Sequence, residues 1–566
     1  MACLGLFSIH AAQMVSVDYT GTRSVNSALT ESFAVSGDGG LAAFASFGTN
    51  YTALDTNGLS DLFVHDCLLR SNVWDTTFSA AAVSGNLGSY PVQFTPDGRF
   101  LLFVSRATNL VPNIIYPAGA GYQLYVRDLV SSITTLETIS PDGSTAGNAS
   151  VTLAGAAPAP IFMSTDGRFC SFASLSTNLV SSLDTNNSQD VFCRDRMLGV
   201  TELITMSPSG RSLDRATFKY AMSTNGRYFA LETSATNVVA GISNTAGTSQ
   251  VYWRDRLAGT NQAVALDLNG AFVPRGTSLQ SMSQDGRFVC FRSIGTNFVL
   301  NQNDPNISLD LFIRDMLAGE TWLVTRATNG GVTAGQAYGG QFSANGEWLL
   351  FSSAIADLVS GIQDVNGQGL DIFAHHLPTR TNAIVSASYD GKSGADSYTS
   401  DNFARISSSG RFVLFTTSAT NVMAGLTNHA QRLLMRDMQA GRTLDPLRVS
   451  VFPTPAYNEA RFAISQDERF IFFLTTGNFD PSVTDTNQQA DLFRAPLFAP
   501  ELRGRLEGNH VRGIGLAGNP YVLEASSNLV NWTAIVTNIA GANGELDLAD
   551  PEMGSQGRRF YRLVAP

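Results

Sequence analysis

Short apolar segments separated by polar turns fill about the first five hundred residues of the chain. One turn recurs, most often as Asp or Asn followed by Gly between two apolar segments. This is a strong hairpin signal because the backbone there needs positive φ. The copies lie at Asp38-Gly39-Gly40, Asp97-Gly98-Arg99, Asp166-Gly167-Arg168, Asn225-Gly226-Arg227, Asp285-Gly286-Arg287, Asn345-Gly346-Glu347, Ser409-Gly410-Arg411 and Asp467-Glu468-Arg469. Their intervals of 58 to 69 residues predict eight structural repeats.

Each turn is followed by two apolar positions that lie three residues apart. The first positions are Leu41, Phe100, Phe169, Tyr228, Phe288, Trp348, Phe412 and Phe470. The second positions are Phe44, Phe103, Phe172, Leu231, Phe291, Phe351, Phe415 and Phe473. Because an odd spacing places residues on opposite faces of a strand, this pattern predicts sheets that are covered on both sides, as the blades of a β-propeller are.

A third strand follows in each repeat, for example at residues 190–195 and 310–315, and a fourth follows a Gly-x-Thr turn. The eighth copy ends at its third strand, whereas residues 14–18 match the ends of the other repeats. We therefore predict eight four-stranded antiparallel blades, closed by an N-terminal strand that completes the last blade. A tandem of sandwiches is the alternative, but the period is short for one and no linkers intervene.

The turn S-x-D-G-R-F, as at 164–169, and the strand D-[LV]-F-x-R-D resemble the WD40-like repeats called PD40, which also build the TolB-type propellers of bacterial envelopes. The likeness covers roughly residues 14–497 and implies a fold but no activity. The predicted fold class is thus all-β, with an eight-bladed propeller over residues 13–499. Residues 500–566 have a different alternating pattern, which predicts a small C-terminal β-sandwich-like module.

Composition and charge narrow the possible partners and the location. The balance of 36 Lys+Arg against 47 Asp+Glu, without any basic stripe, makes nucleic acid an unlikely ligand. The five cysteines have no CxxC spacing, so a zinc site is not predicted. Residues 1–12 resemble the end of a secretory signal that has lost its charged start, and no other apolar run could span a membrane. We expect a monomer that is secreted, or periplasmic in the cell envelope of a bacterium.

An acidic pattern, D-x-N-x-x-x-D, recurs between the second and third strands of five repeats. Its members are Asp55, Asn57, Asp61; Asp184, Asn186, Asp190; Asp304, Asn306, Asp310; Asp485, Asn487, Asp491; and, one residue longer, Asp364, Asn366, Asp371. Carboxylate and amide oxygens on a turn are ligands that Ca²⁺ prefers. The same residues form Asx turns without any metal, and three side chains fall short of six to eight ligands. Both interpretations stay open at this point.

Several functions are compatible with these patterns. His65 and His375 stand where other repeats have Arg, which favours a structural role, and no familiar nucleophile or phosphate-binding motif occurs, so no catalytic residue is predicted. We expect a non-catalytic exported scaffold that binds a protein or glycan on one propeller face. The alternatives are a hydrolase or lyase that acts on polysaccharide or peptide at the channel mouth, and a calcium-stabilised adhesion protein.

Overall fold

The structure is a computed structural model in which forty strands and no helix occur among the described residues. It describes residues 12–27, 29–51, 58–75, 85–154, 157–158, 160–181, 184–242, 244–245, 247–273, 276–300, 308–328, 336–355, 357–367, 369–399, 404–447, 462–497, 501–507, 510–515, 520–528, 531–541, 545–552 and 559–564. Nearly all of the predicted signal segment, residues 1–11, lies outside this set.

The first half of the chain forms four blades, each an antiparallel sheet of four strands in sequence order. The chain opens with β1 (Gln13–Met14), which belongs to the last blade. Blade 1 is β2 (Leu29–Val35), β3 (Leu41–Ser46), β4 (Asp61–Asp66) and β5 (Ser71–Asp75). Blade 2 is β6 (Ser89–Phe94), β7 (Phe100–Ser105), β8 (Gln123–Asp128) and β9 (Ile133–Leu136), followed by a separate hairpin, β10 (Leu153–Ala154) and β11 (Ala157–Pro158). Blade 3 is β12 (Phe162–Met163), β13 (Phe169–Ser174), β14 (Asp190–Asp195) and β15 (Val200–Leu203). Blade 4 is β16 (Thr217–Met222), β17 (Tyr228–Thr233), β18 (Gln250–Asp255) and β19 (Thr260–Ala263).

The second half repeats this arrangement and ends with a blade that contains both ends of the propeller. Blade 5 is β20 (Ser278–Met282), β21 (Phe288–Ser293), β22 (Asp310–Asp315) and β23 (Glu320–Leu323). Blade 6 is β24 (Ala337–Phe342), β25 (Trp348–Ser353), β26 (Asp371–His376) and β27 (Thr381–Ile384). Blade 7 is β28 (Ala404–Ile406), β29 (Phe412–Thr417), β30 (Arg432–Asp437) and β31 (Arg442–Leu444). Blade 8 is β32 (Phe462–Ile464), β33 (Phe470–Thr475) and β34 (Asp491–Pro496), with β1 as its fourth strand.

The apolar core is divided into separate clusters, one at each of the eight contacts between neighbouring blades. In blade 2, Phe103 belongs to the cluster shared with blade 1, and Leu102 belongs to the cluster shared with blade 3. Every blade is therefore buried on both faces, as the spacing of its apolar residues predicts. Since the first strands of neighbouring blades contact each other, they are the strands nearest the centre of the ring. The eight-bladed all-β propeller is confirmed.

The ring closes through β1. Gln13 pairs with Arg494 and Met14 pairs with Phe493 in antiparallel register. Beyond the paired residues, the Val15 N–H donates to the Leu492 carbonyl at 2.7 Å, and Ser16 Oγ donates to Asp491 Oδ1 at 2.7 Å. Met14 packs in the cluster between blades 7 and 8, and Val15 in the cluster between blades 8 and 1. The N-terminal segment thus contributes side chains to both buried faces of blade 8, and the predicted closure is confirmed.

The recurring turn between the first and second strands also joins neighbouring blades. Gly167 has φ of +70°, and a Cβ there would lie 2.4 Å from the Phe100 ring of the preceding blade. The next residue, Arg168, binds Asp195 at the end of the third strand through Nε at 3.1 Å and Nη2 at 2.7 Å. The same ion pair recurs as Arg99–Asp128, Arg227–Asp255, Arg287–Asp315 and Arg411–Asp437. The turn motif therefore serves strand pairing and blade packing together.

The C-terminal residues form two three-stranded antiparallel sheets. One has the order β35 (Glu501–Glu507), β36 (His510–Ile514) and β39 (Glu545–Ala549). The other has the order β38 (Thr533–Ile539), β37 (Pro520–Ser526) and β40 (Phe560–Val564). Tyr521 and Tyr561 share a buried cluster with leucines of both sheets, and Tyr561 Oη donates to Asp550 Oδ2 at 2.8 Å. This small all-β unit has the sandwich-like character that its sequence predicts.

Deleting residues 1–19 tests the closure of the ring. Met14, Val15 and Val17 are each at most 4% exposed, so their loss should destabilise the propeller by about 5 kcal/mol or more. We expect a large fall in the unfolding midpoint by scanning calorimetry. A deletion of residues 1–11, which keeps β1, is the control. If the longer deletion melts like the full chain, β1 does not complete blade 8.

Candidate functional site

The acidic loops between the second and third strands are the candidate site, and three of the five are described, in blades 3, 6 and 8. Since the strands of each blade are antiparallel, these loops lie on the same face of the ring as the connections between blades. We call this face the loop face, and the opposite one, with the turns after the first and third strands, the turn face. Asp55, Asn57, Asp304 and Asn306 lie outside the described residues.

The last aspartate of each motif begins the third strand of its blade and is buried. Its Oδ1 accepts a hydrogen bond from a hydroxyl group. The donors are Thr205 for Asp190, Thr325 for Asp310 at 2.9 Å, Ser386 for Asp371 at 2.6 Å and Ser16 for Asp491 at 2.7 Å. Three of these hydroxyls follow their aspartate by fifteen residues, so the spacing is a signal in the sequence for this hydrogen bond.

The first aspartate of each motif shapes the loop. Asp485 Oδ1 accepts the N–H groups of Asn487 and Gln488 at 3.1 and 3.0 Å. Asp364 Oδ1 accepts those of Asn366 and Gly367, both at 3.0 Å. These are the Asx turns expected of Asp in such loops. Turn formation therefore accounts for one oxygen of the first aspartate in blades 6 and 8.

In blades 3 and 8 the asparagine of the motif fastens the loop to the next inter-blade connection, whereas in blade 6 Asn366 Nδ2 donates to Asp371 Oδ2 at 3.2 Å. Asn186 Nδ2 donates to the Leu213 carbonyl at 2.7 Å, and Asn487 Nδ2 donates to the Val25 carbonyl at 2.8 Å. Their Oδ1 atoms accept backbone N–H groups of Ser188 and Gln489, both at 2.7 Å. In blades 3 and 8 the amide is thus occupied by protein hydrogen bonds, which leaves the two carboxylates as the ligand side chains of the motif.

Several oxygens of these loops are buried without a hydrogen-bond donor among the described residues. They are Asp184 Oδ1, Asp190 Oδ2, Asn366 Oδ1 and Asp491 Oδ2. Burial is the main cause that raises the pKa of Asp190 and Asp491 to about 7, and the nearby charges of Asp184 and Asp485 raise them further. Burial likewise raises the pKa of Asp371 to about 6. A buried carboxylate oxygen without a donor is unfavourable unless a positive group reaches it.

The described residues also include histidines and cysteines, which can bind metals. No group of three or more His, Cys, Asp or Glu side chains comes together there. Cys67, Cys170, Cys193 and Cys290 are buried as free thiols. The candidate ligands in the acidic loops are oxygens alone, which is the donor set of hard cations.

A cleft of about 590 Å³ opens between the outer strands of blades 5 and 6, and Trp322, Arg380 and Asn382 line it. The Arg380 guanidinium lies 4.6 Å above the Trp322 ring and binds Glu320 through two nitrogens. Behind the cleft, Trp322 Nε1 donates to His375 Nε2 at 3.1 Å, and His375 Nδ1 lies 2.8 Å from Asn382 Oδ1. His375 therefore joins two blades as a neutral imidazole that carries its proton on Nδ1.

His65 has a similar place in blade 1. Its Nδ1 lies 2.9 Å from Asn72 Oδ1, and burial lowers its pKa. In blade 4 the equivalent pair is Arg254 with Asn261, at 2.8 Å. These contacts give the exchanged Arg and His positions structural partners on the neighbouring strand.

Acidification tests the role of His375. Burial lowers its pKa to about 4, with further lowering by His376 and Arg380, while Asn382 opposes the shift. Because the unfolded side chain titrates near 6.5, folding favours the neutral form, and stability should fall as the pH drops from about 6.5 to 4 by on the order of 3 kcal/mol. We expect His375→Gln to weaken this dependence in denaturant titrations at several pH values. His376→Gln is the control, and equal curves for His375→Gln and wild type would contradict the assignment.

The comparisons with known proteins concern the fold alone. No protein-family profile and no curated protein sequence matches the chain. Among solved structures it is similar to hydrazine synthase of Kuenenia stuttgartiensis, at 12% identity and a TM-score of 0.31, over 73% of this chain and 96% of that one. It is also similar to a puromycin-hydrolysing peptidase of Mycobacterium tuberculosis, at 12% identity and a TM-score of 0.36, over 86% of this chain and 63% of that one. A third is the polysaccharide lyase Uly1, at 10% identity and a TM-score of 0.31, over 81% and 88%. Such distant likenesses carry no argument about activity, and the propeller assignment stands on the sheets themselves.

Proposed function

We propose that this protein is a non-catalytic, exported scaffold that binds a protein partner on the turn face of its propeller. The observation that carries the proposal is a set of exposed aliphatic side chains at one equivalent position of five successive blades. Each stands two residues after the aspartate that ends the third strand. They are Leu68, Val130, Met197, Leu257 and Leu317, and we call them the apolar arc.

The members of the apolar arc are between 67% and 80% exposed. Leu69 and Leu198 stand beside two of them and are 73% and 67% exposed. At the equivalent positions of blades 6 and 7 the chain has Pro378 and Gln439, and the equivalent residue of blade 8, Phe498, lies outside the described residues. Single exposed apolar residues are ordinary, so the proposal depends on the repetition of five such residues at one position of one face.

The chemistry of the apolar arc favours a protein over a glycan. Its members are aliphatic, and the arginines on the same face, such as Arg168 and Arg227, are engaged with Asp195 and Asp255. An aliphatic surface with neutralised charges suits an apolar patch of another protein. The resemblance of the repeats to PD40 and of residues 1–12 to the end of a secretory signal supports export. In the described residues, no helix is long and apolar enough to cross a membrane.

Substitution of the whole apolar arc by serine tests the proposed surface. These side chains are exposed, so each change should alter stability by no more than about 0.5 kcal/mol and leave the unfolding midpoint nearly unchanged. The same five changes should abolish photo-crosslinking of a discrete protein through a crosslinking amino acid at position 318, on the turn face, in cells of the source organism. The control variant, Ile115→Ser with Leu300→Ser and Tyr389→Ser, changes equally exposed residues of the loop face.

The outcomes separate the alternatives. Crosslinking at position 318 that survives in the control variant and disappears in the arc variant supports the proposal. Crosslinking only through the loop face would overturn the location of the surface. Binding on a glycan array, unchanged in the arc variant, would favour the glycan alternative instead, and crosslinking of the chain to itself would show that a second copy occupies the arc.

A further inference from the structure

We infer that the acidic loops of blades 3, 6 and 8 are calcium sites, each of which holds one Ca²⁺ between the first and last aspartates of its motif. The pairs are Asp184 with Asp190, Asp364 with Asp371, and Asp485 with Asp491. The inference rests on what the other blades place at the same point, on the buried oxygens that face it, and on a cavity in blade 6. It is independent of the proposed partner surface.

Blades 2 and 4 have glutamine where the acidic blades have the last aspartate. Gln123 Oε1 accepts from Thr138 Oγ1 at 2.7 Å, as Asp190 Oδ1 accepts from Thr205. Gln123 Nε2 donates to the carbonyls of Ala120 and Ala149 at 2.7 and 3.3 Å. One side-chain oxygen thus has the same role in both kinds of blade. The other polar atom of the side chain is the N–H donor Nε2 of Gln123 in blade 2 and the carboxylate oxygen Oδ2 of Asp190 in blade 3.

Gln250 of blade 4 repeats this arrangement. Its Oε1 accepts from Thr277 Oγ1 at 3.2 Å, and its Nε2 donates to the Val273 carbonyl at 3.0 Å. In these two blades a side-chain N–H group therefore lies where the acidic blades have the second carboxylate oxygen of the last aspartate. An ionised aspartate cannot donate in this way, because a carboxylate only accepts.

Blade 7 places a full positive charge at this point. Arg432 Nη1 donates to the carbonyls of Asn428 and Ala430 at 3.1 and 2.9 Å, and Nη2 donates to Asn428 Oδ1 at 2.7 Å. Here the chain supplies its own cation to the oxygens of the loop. In blades 3, 6 and 8 a bound cation would take the corresponding place beside the carboxylates of the motif.

The acidic loops also contain the oxygens that such a cation would bind. Asp190 and Asp491 are 0% and 1% exposed, and their Oδ2 atoms have no partner at normal hydrogen-bond distance among the described residues. The side chains of Asn186 and Asn487 lie close enough to lower the pKa of these two carboxyls, against the larger effect of burial. Asp184 Oδ1, which belongs to the same loop as Asp190, is also buried without a hydrogen-bond donor among the described residues. Two carboxylates in one loop repel each other unless a proton or a cation lies between them.

Blade 6 has a small cavity at the site. It has a volume of about 10 Å³, enough for one water-sized sphere, and Asp364, Gly369, Asp371 and Gly394 are among its lining residues. A Cβ on Gly394 would lie 2.6 Å from Asp371 Oδ2, so the backbone approaches the carboxylate where only glycine fits. In this loop the buried oxygen without a described donor is Asn366 Oδ1, whereas Asp371 Oδ2 accepts from Asn366 Nδ2 at 3.2 Å.

The chemistry of these loops suits calcium. All candidate ligands are oxygens, and Ca²⁺ accepts six to eight of them in irregular geometry, with backbone carbonyls and water completing the shell. Mg²⁺ requires six ligands in a near-ideal octahedron and gives up its waters reluctantly, which a loop with two carboxylates and irregularly placed carbonyls does not match. We therefore expect calcium to bind more tightly than magnesium.

The experiment compares thermal unfolding of the full chain in EDTA and in millimolar CaCl₂. We expect calcium to raise the midpoint by at least ~2 °C, because a ligand that binds only the folded state stabilises it. Equilibrium dialysis with radioactive calcium should show three or more bound ions per chain. Wild-type midpoints that agree in EDTA and calcium, or no bound ion, would overturn the inference.

Variants then locate the sites by copying the blades that lack acids. The combination Asp190→Gln, Asp371→Gln and Asp491→Gln should remove three bound ions and most of the calcium shift. In EDTA it should melt no lower than wild type, because three buried carboxylates are gone. The matched control is Asp195→Asn, at the other end of the same strand as Asp190, which should lower the midpoint and keep all bound ions. If the glutamine variant binds as many ions as wild type, the sites are not in these loops.

Discussion

Burial of both faces of every propeller blade is the constraint on which the rest of this structure depends. A four-stranded blade that is apolar on both sides cannot stand alone in water, and a row of such blades would leave two apolar faces exposed at its ends. The ring removes both ends at once. The cluster between blades 8 and 1, with Val15 on one side and Phe44 on the other, makes the first and last blades neighbours. Since β1 supplies the fourth strand of blade 8, the chain ends are held together by backbone pairing as well as by packing.

The third strand of each blade links the two faces of the ring. In blade 3 it begins with Asp190 on the loop face and ends with Asp195 on the turn face, and both are buried. Asp195 has its counter-ion within the blade, in Arg168. Asp190 has only a hydroxyl donor for one of its oxygens. The aspartate at the turn-face end of the strand therefore belongs to a complete ion pair, whereas the aspartate at the loop-face end is a candidate ligand for an added ion.

Much of the fold follows from local sequence, because the propeller uses short-range signals. The turn motif fixes the hairpins, and the odd spacing of Phe100 and Phe103 fixes the two buried faces. The motif MVSVD predicts the closing strand since it matches the ends of the other repeats. The contact of Gly167 with Phe100 of the previous blade was not predictable in this way, because it depends on how two blades approach each other.

The candidate site was predicted only in part. The two aspartates of each motif were identified from the sequence, and so was their competing role in Asx turns. The separate task of Asn186, which fastens the loop to Leu213, was not apparent, since it depends on a connection twenty-seven residues further along the chain. The role of Gln123 and Arg432 as replacements for the acid also needed the structure, because only side-chain geometry shows which of their atoms face the loop carbonyls. The apolar arc was not predictable either, because the hydrophobic pattern of a sequence does not show which apolar side chains are exposed.

A register-specific disulfide gives the most direct test of the closed ring. Gln13 and Arg494 are paired residues of β1 and β34, and Cα atoms of such pairs lie within the range that a disulfide can bridge. In a Cys67→Ala background, the double variant Gln13→Cys with Arg494→Cys should oxidise to an intramolecular disulfide, detected by mass spectrometry of the peptides, and should then unfold at a higher temperature than its reduced form. A ring that is open, or closed by another strand, would leave these two thiols unlinked under the same oxidation.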